Sequence, residues 1–505
     1  MSLNISVTQT KLLENKVNAG VFFVEQDFDF KKFHDLAKKN CPHLEILMRD
    51  KKFVGKSGSV FVVPVTTNID HSYLVFVGLG KRNKKNILNF ESYRRSLGSL
   101  IRTLPQFNIK SIAFELPNSE IFGYDVEYVA KNTAIIINMA NYVFDQLITD
   151  KNRIAKLESD ADIKIVVDKD INNIKKAVDD GVVISNAVNQ ARTWVDLPAN
   201  LLSPTDLANY AQKISVDHGL KCTIFSEQEI IKMGMGGVAA VTKGSEEECK
   251  FVILEYKTEK VAPTICFVGK GITFDSGGLS IKPSGSMETM KEDMSGSAAV
   301  ISAMSALAKL KPKVNIVAIT PITENMPSGS ATRPGDIITF YNGKTAEVKN
   351  TDAEGRLILA DALSYAVKHY KPDFMIDLAT LTGACAYALG PFFSGLFSEH
   401  DEFATKVEEA ANLSGDYVWR LPLTDDYKIA VKSEIADLSN DSNRRYMAGG
   451  TTAACFLQNF VDDVPWVHLD IAGTSFNVPD ISYYRNHSGT GAGVRLLIEL
   501  AMNWK

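Results

Sequence analysis

From residue 196 onward, short apolar stretches alternate with longer stretches of helical spacing. This alternation constrains the fold most, because strands that alternate with helices form a parallel or mixed sheet covered by helices on both faces. The predicted strands are Ile265–Val268, Val314–Thr320, Phe374–Leu378 and Trp466–Ile471, with a hairpin of Ile337–Thr339 and Thr345–Val348. The predicted helices are Ser297–Leu310, Gly355–Lys368, Ala453–Val461 and Gly493–Met502. The fold class is therefore α/β, with a mixed central β-sheet flanked by helices.

The first part of the chain has the pattern of a smaller α/β unit. Strand patterns occur at Val60–Val63 and Tyr73–Val77, and helical spacing occurs at Ser92–Leu104 and Asn132–Leu147. We expect these elements to form a separate N-terminal domain, because a chain of 505 residues is too long for one ordinary core.

A long helical pattern separates the two parts. It runs from Asn172 to Trp194 and ends at the segment DLPANLLSP, whose two prolines break a helix. The predicted organisation is an N-terminal α/β domain of residues 1–170, a connecting helix of residues 171–195 and a C-terminal domain of residues 196–505.

Composition predicts a folded cytoplasmic protein. Apolar residues make up 45% of the chain and charged residues 23%, as in soluble globular proteins. No stretch approaches the roughly 18 uninterrupted apolar residues of a membrane span, and the N-terminus lacks the pattern of a secretory signal. The six cysteines are scattered and form no CxxC pair, which is typical of reduced thiols. A net charge of −5 gives no general attraction for nucleic acid.

Ionisable side chains are concentrated where predicted strands end and helices begin, the place where α/β sheets bind ligands. Three segments carry them: VGKGITFDSGGLSIKP with Lys270, Asp275 and Lys282, METMKEDMSG with Asp293, and NTDAEGR with Asp352, Glu354 and Arg356. Each acid alone is explained by an ordinary role, because carboxylates cap helix N-termini.

As a set, these acids are harder to explain as helix caps. Asp352 and Glu354 would project to the same side of an extended segment. Nearby glycines, at positions 269, 271, 277, 278, 296 and 355, let backbones approach closely. Four carboxylates in one small volume repel one another unless cations neutralise them, and such a set can bridge two divalent ions about 3.5–4 Å apart. Spacing alone leaves both interpretations open, scattered caps and a two-metal site.

None of the eight histidines lies in these three segments. Oxygen ligands suit Mg²⁺ or Mn²⁺ and can also hold Zn²⁺ in a two-metal site. His468, in the segment WVHLDIAG, is more easily explained as a core residue or as a residue behind a ligand.

The segment NTDAEGRLILADAL resembles the signature of the leucyl aminopeptidase (cytosol aminopeptidase) family. Four other segments agree with it in the same order: GKGITFDSGGLSIKP, MKEDMSGSAAV, DLATLTGAC and GTGAGVRLL. The resemblance covers the chain from about residue 195 onward and extends more loosely to the N-terminal domain. It implies that residues 196–505 form a catalytic metallopeptidase domain.

The resemblance implies a centre of two divalent metal ions per subunit, Mn or Zn. It assigns a tightly bound ion to Lys270, Asp275, Asp293 and Glu354. It assigns a more exchangeable ion to Asp275, Asp352 and Glu354, with the main-chain carbonyl of Asp352. A lysine can bind metal only as the neutral amine, so an adjacent dication would have to lower the pKa of Lys270 strongly.

The resemblance also implies the catalytic and substrate-binding residues. Lys282 and Arg356 are the catalytic pair, in a mechanism of attack by a metal-bridged hydroxide with proton transfer assisted by a bicarbonate ion on Arg356. The fixed charge of Lys282 fits stabilisation of the carbonyl oxygen, and Arg356 lies at a predicted helix start, which favours anions. Thr380, Leu381 and Gly383 match the segment that binds the substrate backbone, and Met290 matches a wall of the side-chain pocket.

The implied function is release of N-terminal amino acids, leucine and other mainly hydrophobic residues, from short peptides by a homohexamer. Two alternatives stay open. A two-metal phosphoesterase would use the same carboxylate-bridged ions. An additional DNA-binding role would need a basic surface, for which the cluster Lys81–Lys85 is the one conspicuous candidate in the N-terminal domain.

Overall fold

The structure, a computed structural model, describes residues 3–36, 41–65, 71–442 and 446–504. The chain divides into two compact units. The first comprises Met1–Asn186 and Pro479–Arg485, and the second comprises Ala187–Val478 and Asn486–Lys505. The division falls within a helix, Ile171–Asp196, at the place where the sequence predicts a connecting helix.

The first unit contains a six-stranded sheet. Its strands are β1 Ile5–Thr8, β2 Ala19–Val24, β3 Val60–Pro64, β4 Tyr73–Gly78, β5 Ser111–Glu115 and β6 Asp162–Val166, in the spatial order β1-β6-β5-β2-β4-β3. Only the β3–β4 pair is antiparallel. Its α-helices outside the connecting helix, among the described residues, are Leu44–Asp50, Phe90–Thr103, Val126–Asn141 and Lys151–Ala155. The prediction of an α/β N-terminal domain is confirmed.

The helix predicted at Asn132–Leu147 is displaced along the chain. It spans Val126–Asn141, because the Asp125 carboxylate accepts a hydrogen bond of 2.6 Å from the Tyr128 amide and so starts the helix earlier. The residues after Asn141 keep an apolar spacing without the helix, and Leu147 is 54% exposed. The spacing of apolar residues was therefore a poor guide to where this helix ends.

The second unit contains a nine-stranded mixed sheet. Its strands are β7 Lys221–Phe225, β8 Lys250–Tyr256, β9 Thr264–Gly269, β10 Gly271–Asp275, β11 Asn315–Asn325, β14 Phe374–Ala379, β15 Ser394–Phe397, β16 Val418–Arg420 and β18 Trp466–Asp470. The order is β16-β15-β18-β14-β9-β11-β8-β7, and β10 also pairs with β11. Strands β18, β14, β9 and β11 run parallel, so their carboxyl ends lie at one edge of the sheet. The predicted mixed sheet is confirmed.

A smaller sheet and a set of helices complete the second unit. The small sheet joins β12 Ile337–Thr339, β13 Thr345–Glu347 and β17 Leu438–Ser439, and its antiparallel β12–β13 pair is the predicted hairpin. The α-helices that follow the connecting helix are Pro204–His218, Glu227–Met233, Gly236–Thr242, Ser284–Met287, Ser295–Leu310, Gly355–Tyr370, Gly383–Leu389, Asp401–Ser414, Asp425–Lys428, Gly449–Leu457 and Val494–Met502. Among the residues described, none of the helices is long and apolar enough to cross a bilayer.

The central strands are buried along almost their whole length, as expected for parallel strands covered on both faces. Asp377 on β14 is buried as well, although it is an acid among mostly apolar residues. Its Oδ1 lies 2.7 Å from Nδ1 of His468, and its Oδ2 accepts a 2.7 Å hydrogen bond from Nε1 of Trp466. Burial without partners would be costly, so this pairing explains how an acid sits in the core. His468 is accordingly a core residue, as predicted.

Candidate metal centre

The ionisable residues singled out from the sequence lie at the carboxyl edge of the parallel strands. Lys270 follows β9 directly, Asp275 is the last residue of β10, and Thr380 follows β14 directly. Asn325 and Asp470 are the last residues of β11 and β18. This edge is where α/β sheets place ligand sites.

Three buried carboxylates meet at this edge. Asp275, Asp293 and Glu354 each offer one oxygen, and these oxygens lie within 4.8 Å of one another. All three residues are buried. Asp352 joins the group through Lys282, which contacts both Asp275 and Asp352. The structure therefore brings together the four acids that were singled out from the three segments.

Lys270 is the buried cation on one side of the cluster. Its Nζ lies 2.9 Å from Oδ1 of Asp293 and 2.8 Å from Oε1 of Glu354, and it donates a 2.8 Å hydrogen bond to the carbonyl of Thr380. A methyl group on Gly355 would lie 2.7 Å from this Nζ. A methyl group at position 355 would therefore force the Lys270 side chain to shift from its position between the two acids.

Lys282 is the cation on the other side. Its Nζ lies 2.9 Å from Oδ2 of Asp275 and 2.6 Å from Oδ1 of Asp352. The loop that carries it is tied to the next acidic segment by two reciprocal bonds, in which the Ser280 and Thr351 amides each donate to the other residue's hydroxyl. These bonds keep the loop of Lys282 beside the segment that carries Asp352.

Burial and mutual repulsion shift the pKa values of the acids. Burial raises the pKa of Asp275 to about 6, and it also raises the pKa values of Asp293 and Asp352. Burial acts in the same direction on Glu354, but the charges of Lys270 and Lys282 more than offset it, and the net pKa is lowered.

The two lysines respond in the opposite sense. Burial lowers the pKa of Lys270, but the negative charges of Asp293, Glu354 and Asp275 outweigh it and raise the net pKa. The balance is the same for Lys282, whose pKa is also raised. In the absence of metal ions, each lysine is therefore held as an ammonium ion. The four carboxyl groups then face only two positive charges.

The donor set fits divalent cations. Oδ2 of Asp293 and Oε2 of Glu354 are buried and have no hydrogen-bond partner within the described ranges. Buried polar atoms are rarely left without partners, and such exceptions mark sites for ions or water. Carboxylate oxygens are ligands that Mg²⁺, Mn²⁺ and Zn²⁺ all accept. The residues present thus match a carboxylate-rich metal centre.

The segment of Asp352 and Glu354 has a different backbone from the one assumed in the sequence argument. Thr351 and Asp352 form a turn, and Glu354 is the residue before the helix Gly355–Tyr370, with φ −78° and ψ −36°. The expectation of an extended segment was wrong, because the turn is closed by a bond from the Ala353 amide to the Asn350 carbonyl. The two carboxylates reach the same cluster through this turn instead.

Arg356 is the second residue of that helix and is buried. Its NH1 donates a 2.8 Å hydrogen bond to the carbonyl of Asn440, while its Nε has no partner among the residues that the structure describes. Burial lowers the pKa of Arg356, against the opposing charges of Asp441, Glu354 and Asp470. A buried guanidinium with an unused donor is a suitable partner for a small anion.

The segment after β14 lies against the cluster. The hydroxyl of Thr380 donates a 2.7 Å hydrogen bond to Oδ1 of Asp293, Leu381 is half-buried, and Gly383 is exposed as the first residue of the helix Gly383–Leu389. Met290 is half-buried in a 3-10 turn that leads directly to Asp293. Thr380 touches the cluster directly. Leu381 and Gly383 follow Thr380 closely in the sequence, and Met290 precedes Asp293 by three positions.

Three polar residues that the sequence reasoning missed organise the loops of the centre. Asn325 donates to Asp275. Asn440 is fully buried and donates to the carbonyls of Asn350 and Ala353. Asp470 accepts hydrogen bonds from the Leu381 amide and the Thr382 hydroxyl, among others. Asp470 lies near the end of the predicted strand Trp466–Ile471, so the strand-end rule could have found it. Asn325 lies beyond the predicted end of its strand at Thr320, because the strand continues to Asn325 in the structure, and no signal in the sequence marks Asn440.

The basic cluster at positions 81–85 is partly neutralised within its own unit. Arg82 makes two hydrogen bonds of 2.7 Å to the carboxylate of Glu25, and Lys81 lies 3.2 Å from Asp27. Charges committed in this way are less available for phosphate groups. The cluster therefore gives no specific support to a DNA-binding role.

Comparison with known proteins agrees with this geometry. Residues 189–498 match the model of the cytosol aminopeptidase family, catalytic domain, and residues 21–151 match that of the cytosol aminopeptidase family, N-terminal domain. A protein of Chlorobium limicola named "Probable cytosol aminopeptidase" is 42% identical over 84% of this chain and 86% of its own. One of the same name from Chloroherpeton thalassium is 38% identical over the full length of both.

A solved structure is also similar over nearly the whole chain. The bottromycin maturation enzyme BotP in complex with Mn superposes with a TM-score of 0.84 at 30% identity, covering 96% of this chain and 99% of that one. The family matched by both domain models consists of metallo-exopeptidases, which are hydrolases. By sequence over both domains, and by fold, the chain belongs to the cytosol aminopeptidase family.

Proposed function

We propose that this protein is a metal-dependent aminopeptidase that releases N-terminal residues, leucine and other mainly hydrophobic residues, from short peptides. The observation that carries the proposal is the convergence of Asp275, Asp293 and Glu354, with two buried carboxylate oxygens that lack partners among the described residues. Membership of the cytosol aminopeptidase family supports the same reaction class.

Two divalent ions, Mn or Zn, would be held by the residues of this cluster. A tightly bound ion is assigned to Lys270, Asp275, Asp293 and Glu354, and a more exchangeable ion to Asp275, Asp352 and Glu354. When bound, such ions supply an activated water and polarise the substrate carbonyl. Lys270 must lose its proton to serve as a ligand, since only the neutral amine carries a lone pair.

Lys282 and Arg356 are assigned the charge and proton steps. The Lys282 ammonium, fixed between two carboxylates, would stabilise negative charge on the substrate's carbonyl oxygen as it develops. Arg356 would hold a bicarbonate ion through its Nε–H donor, which has no partner among the described residues, and that ion would supply proton transfer to the leaving amine. The free donor on a buried guanidinium is the feature that supports this role.

The substrate is assigned to the segment after β14. Leu381 and Gly383 would bind the substrate backbone together with Thr380, which already touches Asp293. Met290 would form a wall of the pocket for the N-terminal side chain, because it stands half-buried just before Asp293. An apolar wall of this kind favours leucine over charged residues.

We also propose a homohexamer in the cytoplasm. Several large apolar side chains of the second unit are exposed in the single chain, among them Tyr387 at 94%, Trp419 at 60% and Ile435 at 69%, and an assembly would cover such residues. The name of the relatives and the six free cysteines support a cytosolic location. Light scattering of the purified protein would measure the assembly.

The test of the proposed function compares three substrates in the presence of Mn²⁺: Leu-p-nitroanilide, its N-acetylated form and p-nitrophenyl phosphate. We expect hydrolysis of the first alone. Hydrolysis of the phosphate ester alone would instead establish a phosphoesterase, and equal cleavage of the acetylated compound would exclude an aminopeptidase.

Variants test the residues. Asp293→Ala and Glu354→Ala should abolish activity while keeping the fold, whereas Glu402→Ala, an exposed acid in the same unit, should not change it. Near-normal turnover by either centre variant would refute the metal assignment. Lys282→Ala should lower kcat far more than it raises KM, and the reverse pattern would show that Lys282 only binds substrate.

A further inference from the structure

Asn325 stands between two of the loops that form the centre. It is the last residue of β11, it is 4% exposed, and it lies opposite Asp275 in the parallel β10–β11 register. Its backbone carbonyl accepts bonds from the amide and the hydroxyl of Ser276. These bonds tie β10 to β11 at this point without the Asn325 side chain, which is therefore free to bond elsewhere.

The Asn325 side chain donates to both acidic segments at once. Its Nδ2 lies 2.8 Å from Oδ1 of Asp275 and 3.0 Å from the carbonyl of Thr351. Thr351 is the residue before Asp352, so one amide group joins the loop of Asp275 to the loop of Asp352. These two acids are the ones that a shared cation would have to bring together.

The same contact fixes the orientation of the Asp275 carboxylate. Oδ1 accepts two hydrogen bonds of 2.8 Å, from Nδ2 of Asn325 and from the Gly277 amide. Oδ2 is left to face Lys282, at 2.9 Å. With one oxygen occupied by neutral donors, the carboxylate cannot rotate without losing both bonds, and one defined oxygen is presented to the cluster.

We propose that Asn325 is a positioning residue of the metal centre, which sets the rotation of Asp275 and its distance from Asp352 and so determines affinity for the exchangeable ion. The inference rests on the proposed function, because it assigns Asn325 to the ion that Asp275 and Asp352 share. The tightly bound ion shares Asp275 with the exchangeable ion, but its other assigned ligands, Lys270, Asp293 and Glu354, form no hydrogen bond with the Asn325 side chain in the described structure.

The test measures Mn²⁺ binding directly, apart from activity. Full-length wild type, Asn325→Ala and the control Asn315→Ala are stripped with chelator, titrated with Mn²⁺, and analysed for bound metal per subunit after gel filtration. Asn315 is matched to Asn325: it is the first residue of the same strand, and its side chain bonds only to the Thr258 amide and the Ala262 carbonyl among the residues described.

We expect Asn325→Ala to bind the second Mn²⁺ of each subunit about 10–100-fold more weakly than wild type, the range found when outer-shell partners of metal ligands are removed. The first ion should be weakened less, because only one of its four assigned ligands, Asp275, bonds to Asn325, and the control should be unchanged. If Asn325→Ala does not fold, as judged by circular dichroism of the metal-free protein, Asn325→Ser, which keeps a small polar group but cannot span both acceptors, is measured by the same criteria.

The outcomes separate the inference from the function on which it rests. Affinity for the second ion within threefold of wild type in a folded Asn325 variant overturns the inference alone. An equal loss in Asn315→Ala also overturns it, because the effect would then come from the strand. Failure of the wild type to bind Mn²⁺ or Zn²⁺ overturns the proposed function and the inference together.

Discussion

Substitution of Gly355 by alanine is a direct test of how the cluster is built. The added methyl would lie 2.7 Å from both Cε and Nζ of Lys270, where carbon contacts normally need about 3.5–4 Å. The lysine must therefore move by roughly 1 Å. A shift of that size would take Nζ out of hydrogen-bonding distance of Asp293 and Glu354, from which it lies 2.9 and 2.8 Å, and would weaken both buried ion pairs.

The cost follows from the burial of these groups. Removing one partner from a buried ion pair destabilises a protein by about 3–5 kcal/mol, while the better helix propensity of alanine returns at most about 1 kcal/mol. At about 2 °C per kcal/mol for a large domain, the remaining cost of about 2–4 kcal/mol should lower Tm of the metal-free protein by roughly 4–8 °C. The variant should also retain less Mn²⁺ after gel filtration, because Lys270 is among the assigned ligands.

The assay is calorimetry of the metal-free protein, with metal content measured on the same samples. Gly329→Ala is the matched control, because its added methyl would meet no atom within 4 Å and its position is exposed. If Gly355→Ala melts with the control and binds Mn²⁺ normally, Lys270 is not held by this close approach, and the described centre is wrong.

Three further predictions concern the core, the pH and the metal. Asp377→Ala should destabilise the second unit by about 3 kcal/mol in denaturant titrations, because it leaves Trp466 Nε1 and His468 Nδ1 buried without their acceptor; a loss under about 1 kcal/mol would contradict this. Burial raises the pKa of Asp361 to about 7, above its unfolded value. Its stabilising contribution is therefore fully present only below about pH 4 and is lost as the pH rises through 7. The denaturant concentration at the unfolding midpoint should consequently fall more steeply between pH 5 and pH 8 for the wild type than for Asp361→Asn. Parallel plots of this midpoint against pH would refute the prediction. Dialysis against a chelator should lower Tm and activity, and Mn²⁺ or Zn²⁺ should restore both, because a ligand of the folded state stabilises it; activity that survives complete removal of metal would exclude a metal-dependent enzyme.

The fold was largely accessible from the sequence because its central strands are continuously apolar. The patterns at 265–268, 374–378 and 466–471 each identified a buried strand that the structure contains. The helix expected at 132–147 failed for a local reason, since the Asp125 cap, which lies outside the apolar pattern, determines where it starts.

The candidate site was less accessible, because its geometry depends on turns and on uncharged polar groups. The acids Asp352 and Glu354 were singled out correctly, but through an extended backbone that is in fact a turn. Asn440 and Asn325 hold the acidic loops through bonds to residues between 26 and 90 positions away. No local pattern carries information about a contact over such a separation.

The distances along the chain between contacting residues have a consequence for biosynthesis. Lys270 bonds to Thr380, 110 positions later, and Thr382 bonds to Asp470, another 88 positions on. The chain loses the entropy of closing such long loops before the contacts between their ends can stabilise it, and this slows folding. A nascent chain therefore lacks the complete pocket until Asp470, the last residue of β18, has emerged from the ribosome. Peptide-cleaving capacity would arise only after β18 has been synthesised and has paired with β14.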